Sequence, residues 1–559
     1  MFQSINDRYL SVSRGDATME IKPVTAKSIP VFLKWTVLVL LGIGILFRFS
    51  HLDRQVYWHD EVFTSLEATA HTGSELKEDL FIGKETVPST LLAYQHIDPT
   101  RTLSQLIFGI GSEDPQHPPL FYLFMHFWMR AWGDSIWVTR SFAAVLSLLV
   151  FPAVYWLCWE LFASPVVGWV AIALLAISPI HVVYAQEARE YSLLTALTLL
   201  SSAALLRAIR GDRWQNWALY GITLILSFYT AVFSALVAFG HGIYIICTQP
   251  TQIQSVEDGF QIQWQLTRRA IAFLLTGAIA VVAFTPWFYF LKTYSHVLNA
   301  SAGWVAISLP FDTTVKLWML NLIRVFWDAD VNPLVADAPF NWFVVIPVVL
   351  LEMYAVYSFI QKAPKTSWLF VVTLLVGTSL PLIVPDILSG GQRSTVTRYF
   401  LPFLLGLQIA VAYLIAHLLV TTKRSYQAIG ISLSAVLAIA GIVSCTLHSQ
   451  SNTWWNKIMS YHHPEIAQIL NTSNHPILMT DGYSYNPANL VSLSYLLNDT
   501  VTLLPMVEVG IFLNVPTIAD RSQPIFLLNL PDYFRREFLA KYGGQFQPVV
   551  GELWVWQRS

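Results

Sequence analysis

Apolar runs of about 20 residues recur from position 30 to position 446, each long enough for a helix to cross a hydrocarbon core of about 30 Å. Lipid offers no water to an unpaired N–H or C=O, so such a chain folds as a helical bundle. The predicted spans are 30–49, 135–161, 166–184, 191–209, 214–229, 231–247, 269–290, 341–360, 367–384, 399–420 and 428–446. That makes about eleven transmembrane helices in a polytopic α-helical membrane protein. Composition agrees: 12% of the 559 residues are charged, 55% are hydrophobic, and mean hydropathy is +0.51. A soluble domain carries roughly a quarter charged residues. A net charge of −2 gives no basic field, so nucleic acid is not an expected partner. Cys158, Cys247 and Cys445 sit far apart in apolar runs and are expected as small buried residues, neither disulfides nor metal ligands. Residues 1–29 are polar, and the run after them has no small-residue cleavage site. They read as a cytoplasmic tail rather than a cleaved signal.

Basic residues fall in every second loop. Arg207, Arg210 and Arg213 share one; Arg268 and Arg269, Lys362 and Lys365, and Lys423 and Arg424 fill the others, and Arg8, Arg14, Lys22 and Lys27 lie in the tail. By the positive-inside rule these loops and the N-terminus are cytoplasmic. The outer face then receives a first loop at 50–134, the turn at 186–191, residues 291–338, the loop at 386–398 and everything after 447.

The first outer loop carries two predicted amphipathic helices. One runs from Asp60 to His71, with Gly73 as its C-terminal cap. The other follows His117-Pro118-Pro119 and reads LFYLFMHFWMRAWG. It is too short to cross, so Trp128, Trp132, His126 and Arg130 place it at headgroup level. A further short helix at 313–327 is expected at the surface. Residues 448–559 read differently. Strands at 477–479, 501–504, 525–528 and 553–556 alternate with helices at 463–471 and 532–542, which makes a small α/β domain on the outer face. It shows no Gly-rich phosphate loop, nucleophile elbow or zinc spacing, so a lid or acceptor-docking module is expected.

Chemistry-bearing residues gather on the outer side. Asp60 and Glu61 follow Trp58 and His59 at the mouth of the first span. Both acids also suit a helix N-terminus, so capping competes with catalysis. The turn Gln186-Glu187-Ala188-Arg189-Glu190-Tyr191 is more charged than a connection needs, and a helix starting there favours an anion. The loop holding Gly390, Gly391, Arg393 and Arg398 combines free N–H groups with arginines at a helix start. There they oppose the dipole, which favours a phosphate site over a stabilising role. His117 stands before two prolines, and either ligand contact or a structural role fits it. Trp58, Trp304, Trp318 and Trp327 are expected in the interface belt. Asp328, Asp330 and Asp337 lack metal-ligand spacing. No metal or cofactor is expected, although a divalent cation is not excluded.

The string Trp58-His59-Asp60-Glu61-Val62-Phe63 resembles the Asp-Glu motif in the first outer loop of protein O-mannosyltransferases and aminoarabinose transferases, enzymes of the GT-C membrane fold. His117-Pro118-Pro119-Leu120-Phe121-Tyr122, Trp132-Gly133-Asp134, Arg140-Ser141 and the 186–191 turn resemble the segments that follow in bacterial members. Motif support covers residues 30–250. The resemblance implies an inverting glycosyltransferase that moves a sugar from a polyprenyl-phosphate donor to a lipid, glycan or protein hydroxyl on the outer face of a bacterial inner membrane. It implies Asp60 as base with Glu61 beside it, and Arg189, Arg393 and Arg398 at the donor phosphate. His59, His117, Gln186, Glu187 and Tyr191 would contact substrate, and membrane lipids surround the donor's tail. Two departures stand out. The external domain of the O-mannosyltransferases is missing, and His117 replaces the lysine of the aminoarabinose transferases. The alternative is a transporter or flippase that binds without chemistry. Transporters show internal repeats and ionisable groups near the midplane, whereas this chain shows neither.

Overall fold

The computed structural model describes residues 31–249, 251–256, 259–264, 267–334, 340–507, 514–518 and 522–558. The tail at 1–29 and Asp337 lie outside them. Among the described residues, eight helices are long and apolar enough to cross a membrane: Val31–Phe49, Ile136–Phe162, Tyr191–Gly211, Arg268–Thr293, Trp342–Lys362, Lys365–Ser389, Thr397–Val420 and Arg424–Ser460. Two more predicted spans are the helices Trp214–Thr230 and Ser234–Cys247, 17 and 14 residues long. At 1.5 Å per residue they reach about 25 and 21 Å, short of a full hydrocarbon core. Cys158 and Cys445 are buried as expected, but Cys247 is exposed, because it closes the shorter of these two helices.

The predicted straight span at 166–184 is broken instead. Pro165–Ala176 ends, and Pro179–Ala185 leaves at 62°. Pro179 has no N–H to donate, and its ring opposes the preceding turn. A side chain satisfies carbonyls that the break frees. The buried Arg48 guanidinium donates to Leu175 O (2.9 Å) and Ala176 O (2.6 Å). Two glycines let neighbouring helices close on the break. A Cβ on Gly44 would overlap the Ala176 carbonyl, and one on Gly441 would overlap the Ile177 carbonyl. The redirected half-helix carries the 186–190 turn to the end of the bundle where the His59–Ala68 helix lies. The basic residues Arg207 and Arg210 sit at the far end of Tyr191–Gly211, about 30 Å away along that helix.

The first loop is more helical than predicted, with Gly73–Leu80 and Leu103–Glu113 between His59–Ala68 and Leu120–Trp132. The first helix stops at Ala68 rather than His71. Ala70 turns the chain with φ +63°, and Thr72 caps the next helix by accepting from Glu75 N–H (3.1 Å). Gly73 therefore opens a helix instead of closing one. In Leu120–Trp132, Phe124, Phe127 and Trp132 are exposed. His126 and Trp128 face inward instead, bonding Ala68 O (2.7 Å) and donating to Val138 O (3.1 Å).

Between Ser234–Cys247 and Arg268–Thr293, strands β1 (Thr251–Val256) and β2 (Gly259–Trp264) form an antiparallel hairpin that the sequence reading leaves as loop. The C-terminal region holds β3 (Ile477–Asp481), β4 (Thr502–Met506), β5 (Ile525–Leu528), β6 (Gln545–Val550) and β7 (Leu553–Gln557). Their order is β4-β3-β5-β7-β6. β3 runs parallel to β4 and β5, and β7 runs antiparallel to β5 and β6. Helices His463–Thr472 and Asp532–Tyr542 stand where predicted. β6 is missed because Pro548 interrupts its pattern. The Asn486–Ser494 helix is missed because it is buried on all sides and so has no polar face. The sheet does not stand apart. Thr86 of the first loop pairs with Leu503 on edge strand β4 through both backbone bonds (2.9 and 2.8 Å). Leu91 and Ile110 of that loop share one core with Leu490, Leu503 and Phe526.

Candidate active site

His59–Ala68 presents its first turn to the centre of this assembly. Trp58 precedes it in an extended conformation, and its N–H donates to the Glu61 side chain (3.4 Å). That reciprocal bond sets where the helix starts and fixes two adjacent carboxylates in different surroundings. Asp60 is therefore inside the first turn, not the cap.

Glu61 is fully buried. Arg140 holds it with two bonds of 2.7 Å, Nε to Oε1 and Nη2 to Oε2. Lys457 Nζ (3.1 Å) and Ala188 N–H (2.9 Å) complete the set. Arg140 also donates to the carbonyls of Leu52, Gln55 and Val56. Burial would lift the Glu61 carboxyl, but Arg140 and Lys457 hold it well below the carboxylate range. No lone pair of Glu61 is left for a substrate. The chain thus ties the first loop, the Ile136–Phe162 span, the 186–190 turn and the C-terminal region through one carboxylate.

Asp60 keeps 16% of its side chain exposed. His59 Nε2 lies 3.0 Å from Oδ1, and Arg398 Nη1 lies 3.7 Å from Oδ2. Burial would raise its carboxyl. His59, then Arg398 and Arg189, outweigh burial and hold it below the ordinary range. Arg398 is 19% exposed, with its guanidinium between the Trp304 (5.9 Å) and Tyr399 (5.5 Å) rings. At 3.7 Å it neutralises Asp60 without a full hydrogen bond.

The other arginines are differently placed. Arg189 is buried and committed. It donates to Asp60 O and Thr64 Oγ1 (3.2 Å each), lies 3.1 Å from the His117 ring and 3.3 Å from Glu190. His117 Nδ1 is 3.1 Å from Glu190 Oε1. Against burial, Arg189 and His117 hold the Glu190 carboxyl down to about 2. Arg393 pairs with Asp386 (3.0 Å), whose other oxygen accepts Ser394 N–H (2.6 Å). It braces its own loop rather than facing Asp60. Glu187 is buried between donors, Trp58 Nε1 (3.0 Å) and Asn456 Nδ2 (2.7 Å). Burial lifts its carboxyl, Lys457 opposes, and Glu61 and Asp60 add to the lift. Tyr191 is buried with its ring 5.9 Å from the Arg189 guanidinium. Gln186 turns away and donates to Ser50 O (2.8 Å). Trp58 is buried in the site and not in an interface belt. Asp328 accepts from the Trp454 and Trp455 indoles (2.8 and 2.6 Å), and Asp330 accepts from Tyr461 OH (2.9 Å). Among the described residues no three His, Cys, Asp or Glu side chains are grouped to hold a metal.

The whole arrangement can be compared with solved structures. ArnT from Cupriavidus metallidurans in the apo state aligns with TM-score 0.53 and 12% identity, covering 94% of this chain and 98% of that one. The same protein bound to undecaprenyl phosphate gives 0.51 and 14%, with 94% and 97% covered. The chain has the GT-C fold. Residues 116–290 also match the family described as dolichyl-phosphate-mannose-protein mannosyltransferase. No curated protein sequence matches. The chain thus resembles the protein O-mannosyltransferase and aminoarabinose transferase group of GT-C membrane glycosyltransferases, and it is an integral membrane protein. Lys457 and Asn456 escape sequence reading, because each reaches the site from a 3-10 turn far along the chain. Arg140 is visible only as part of a resembling segment. Thr64 is one helical turn from Asp60, which was the available signal.

Proposed function

We propose that this protein is an inverting glycosyltransferase whose donor is a sugar on a polyprenyl phosphate. One observation carries the reading: Asp60, the accessible carboxylate of the pair, lies 3.7 Å from Arg398, a partly exposed arginine that, unlike Arg393, has no other carboxylate partner among the described residues. A general base and a phosphate ligand are what the reaction needs at neighbouring positions. The acceptor hydroxyl oxygen attacks the anomeric carbon, and its proton passes to Asp60 Oδ2. The bond from that carbon to the phosphate oxygen breaks, and the electron pair leaves with the polyprenyl phosphate, which Arg398 receives. A phosphate is already a good leaving group, so no acid is required. Attack opposite the departing oxygen inverts the centre.

The remaining residues position. Glu61, with Arg140 and Lys457, locks the helix that carries Asp60. Arg189 frames Asp60 through its carbonyl, and His117 and Glu190 hold Arg189. Arg393 shapes the loop that delivers Arg398. His59 fixes the Asp60 rotamer. Beside Pro119 an apolar cavity of about 280 Å³ opens among Leu120, Leu123, Tyr229, Pro286 and Phe290, suited to isoprenoid methylenes. With the basic ends of the bundle in the cytoplasm, the site faces the periplasm and the acceptor is a lipid, glycan or protein. Undecaprenyl phosphate in the ArnT neighbour supports the donor class.

Mass spectrometry of lipids that copurify with the full chain tests the donor. A polyprenyl phosphate or its glycoside is expected, depleted about tenfold or more in Arg398→Ala, since a charge-assisted bond contributes about 1.5–3 kcal/mol. A transported solute with no such lipid would overturn the reading.

A further inference from the structure

The turn between β3 and the Asn486–Ser494 helix stands over the proposed base, and its outer surface belongs to neither the donor site nor the core. Tyr483 and Tyr485 are 63% and 38% exposed, while every residue of the helix that follows is buried. Large aromatics exposed on a rigid support call for an occupant more than scattered ones do. The support here is rigid. Asp481 at the end of β3 accepts Tyr483 N–H (3.1 Å) and Asn486 Nδ2 (2.6 Å). Asn529 donates to Asn486 Oδ1 (3.1 Å), and Asn486 N–H closes on Tyr483 O (3.1 Å).

Position adds a second argument. In open sheets ligands bind outside the carboxyl ends of parallel strands, and β3 has parallel neighbours on both sides. The Tyr485 ring centre lies 6.3 Å from that of His59, whose Nε2 is 3.0 Å from Asp60. The backbone of His59 is tied to the same unit, since its N–H donates to Ser460 Oγ (3.3 Å), which meets Asn489 Oδ1 (3.2 Å). A group resting on Tyr485 therefore lies beside the His59–Asp60 pair.

We infer that Tyr483 and Tyr485 form the acceptor subsite, and that it takes the apolar face of a pyranose or furanose ring. The acceptor is then a glycan or the sugar headgroup of a glycolipid, not a protein side chain. A sugar ring has a C–H face and hydroxyl edges. Two exposed tyrosines beside the exposed hydroxyl of Ser484 match that division. An acyl chain would not need the polar neighbour, and a peptide adding as a strand to β4 would have to displace the first loop. The edge of β4 is already taken by Thr86. This inference rests on the proposed transferase reading and names its acceptor class.

The test is saturation-transfer NMR on the full chain in nanodiscs, with methyl mannoside, methyl glucoside and methyl arabinoside as probes and a Ser/Thr-rich peptide as the rival. Saturation of at least one glycoside is expected in wild type and in Tyr485→Phe. It should fall about fivefold or more in Tyr485→Ala and Tyr483→Ala, both of which change exposed side chains and should melt as wild type does. Peptide saturation without glycoside saturation, or glycoside signal unchanged in both alanine variants, would overturn the inference. Asp60→Asn should keep the glycoside signal. Sugar transfer persisting in that variant would sink the transferase reading while leaving the subsite intact.

Discussion

At the residue scale, two adjacent carboxylates have opposite fates. Asp60 stays partly accessible, with His59 at 3.0 Å and Arg398 at 3.7 Å, whereas Glu61 is consumed by Arg140, Lys457 and Ala188. Removing Glu61 leaves two cations buried without their counter-charge, which costs about 3–5 kcal/mol. Glu61→Gln is expected to lower the thermal midpoint in detergent by several degrees and to cut activity through disorder of the helix. A midpoint equal to wild type would show that the ion cluster is not structural. Asp60 gives a pH signature. A base works deprotonated, so activity falls as pH drops through its pKa. In the free enzyme His59, Arg398 and Arg189 hold that pKa below the carboxylate range. The donor phosphate draws Arg398 to itself and adds negative charge, which raises it. The acid limb of kcat, which reports the donor complex, is expected at higher pH than the limb of kcat/KM for the donor. Coincident limbs would mean that Arg398 does not exchange partners. The Asp-Glu pair was legible in the sequence, with base and cap both open for it. The different surroundings of the two acids were not, because they depend on Lys457, which is 396 positions from Glu61.

At the element scale, the broken span matters most. Hydropathy marked one apolar run at 166–184 and could not see its bend, since both halves are buried and together apolar enough to span. Pro179 was the visible signal. The bend is held by Arg48 and by close approaches at Gly44 and Gly441. Gly44→Val is expected to push the first span off the break, because the Ala176 carbonyl occupies the space. Overpacking of this kind costs about 1–3 kcal/mol. Expression and thermal midpoint should fall, and Asp60 activity with them, since the break aims the 186–190 turn. Gly42→Val two residues away, where no atom lies within 4 Å, is the control. Equal loss in both variants would contradict the role of the break.

At the scale of the whole molecule, the lipid-facing pattern made the bundle legible. Long apolar runs, alternate basic loops and polar residues gathered at one end of the bundle follow from the bilayer alone. The short helices Trp214–Thr230 and Ser234–Cys247 show where that logic thins, since packing against longer neighbours can replace length. The C-terminal sheet was legible as alternating elements. Its union with the first outer loop was not, because one bridge at Thr86 and a shared apolar core join segments that are far apart in sequence. That union makes the C-terminal region a wall of the site rather than an appendage. Deleting residues 448–559 is expected to remove Lys457 and Asn456 from the site and abolish transfer.

The most direct measurement is sugar transfer by Asp60→Asn in proteoliposomes that contain a polyprenyl-phosphate glycoside, with acceptor supplied as a membrane extract. The account expects turnover to fall by about 10²–10⁴, with donor binding and thermal midpoint near wild type and with inverted product in whatever activity remains. Wild-type turnover in Asp60→Asn would contradict it and leave the carboxylate as a helix-end charge.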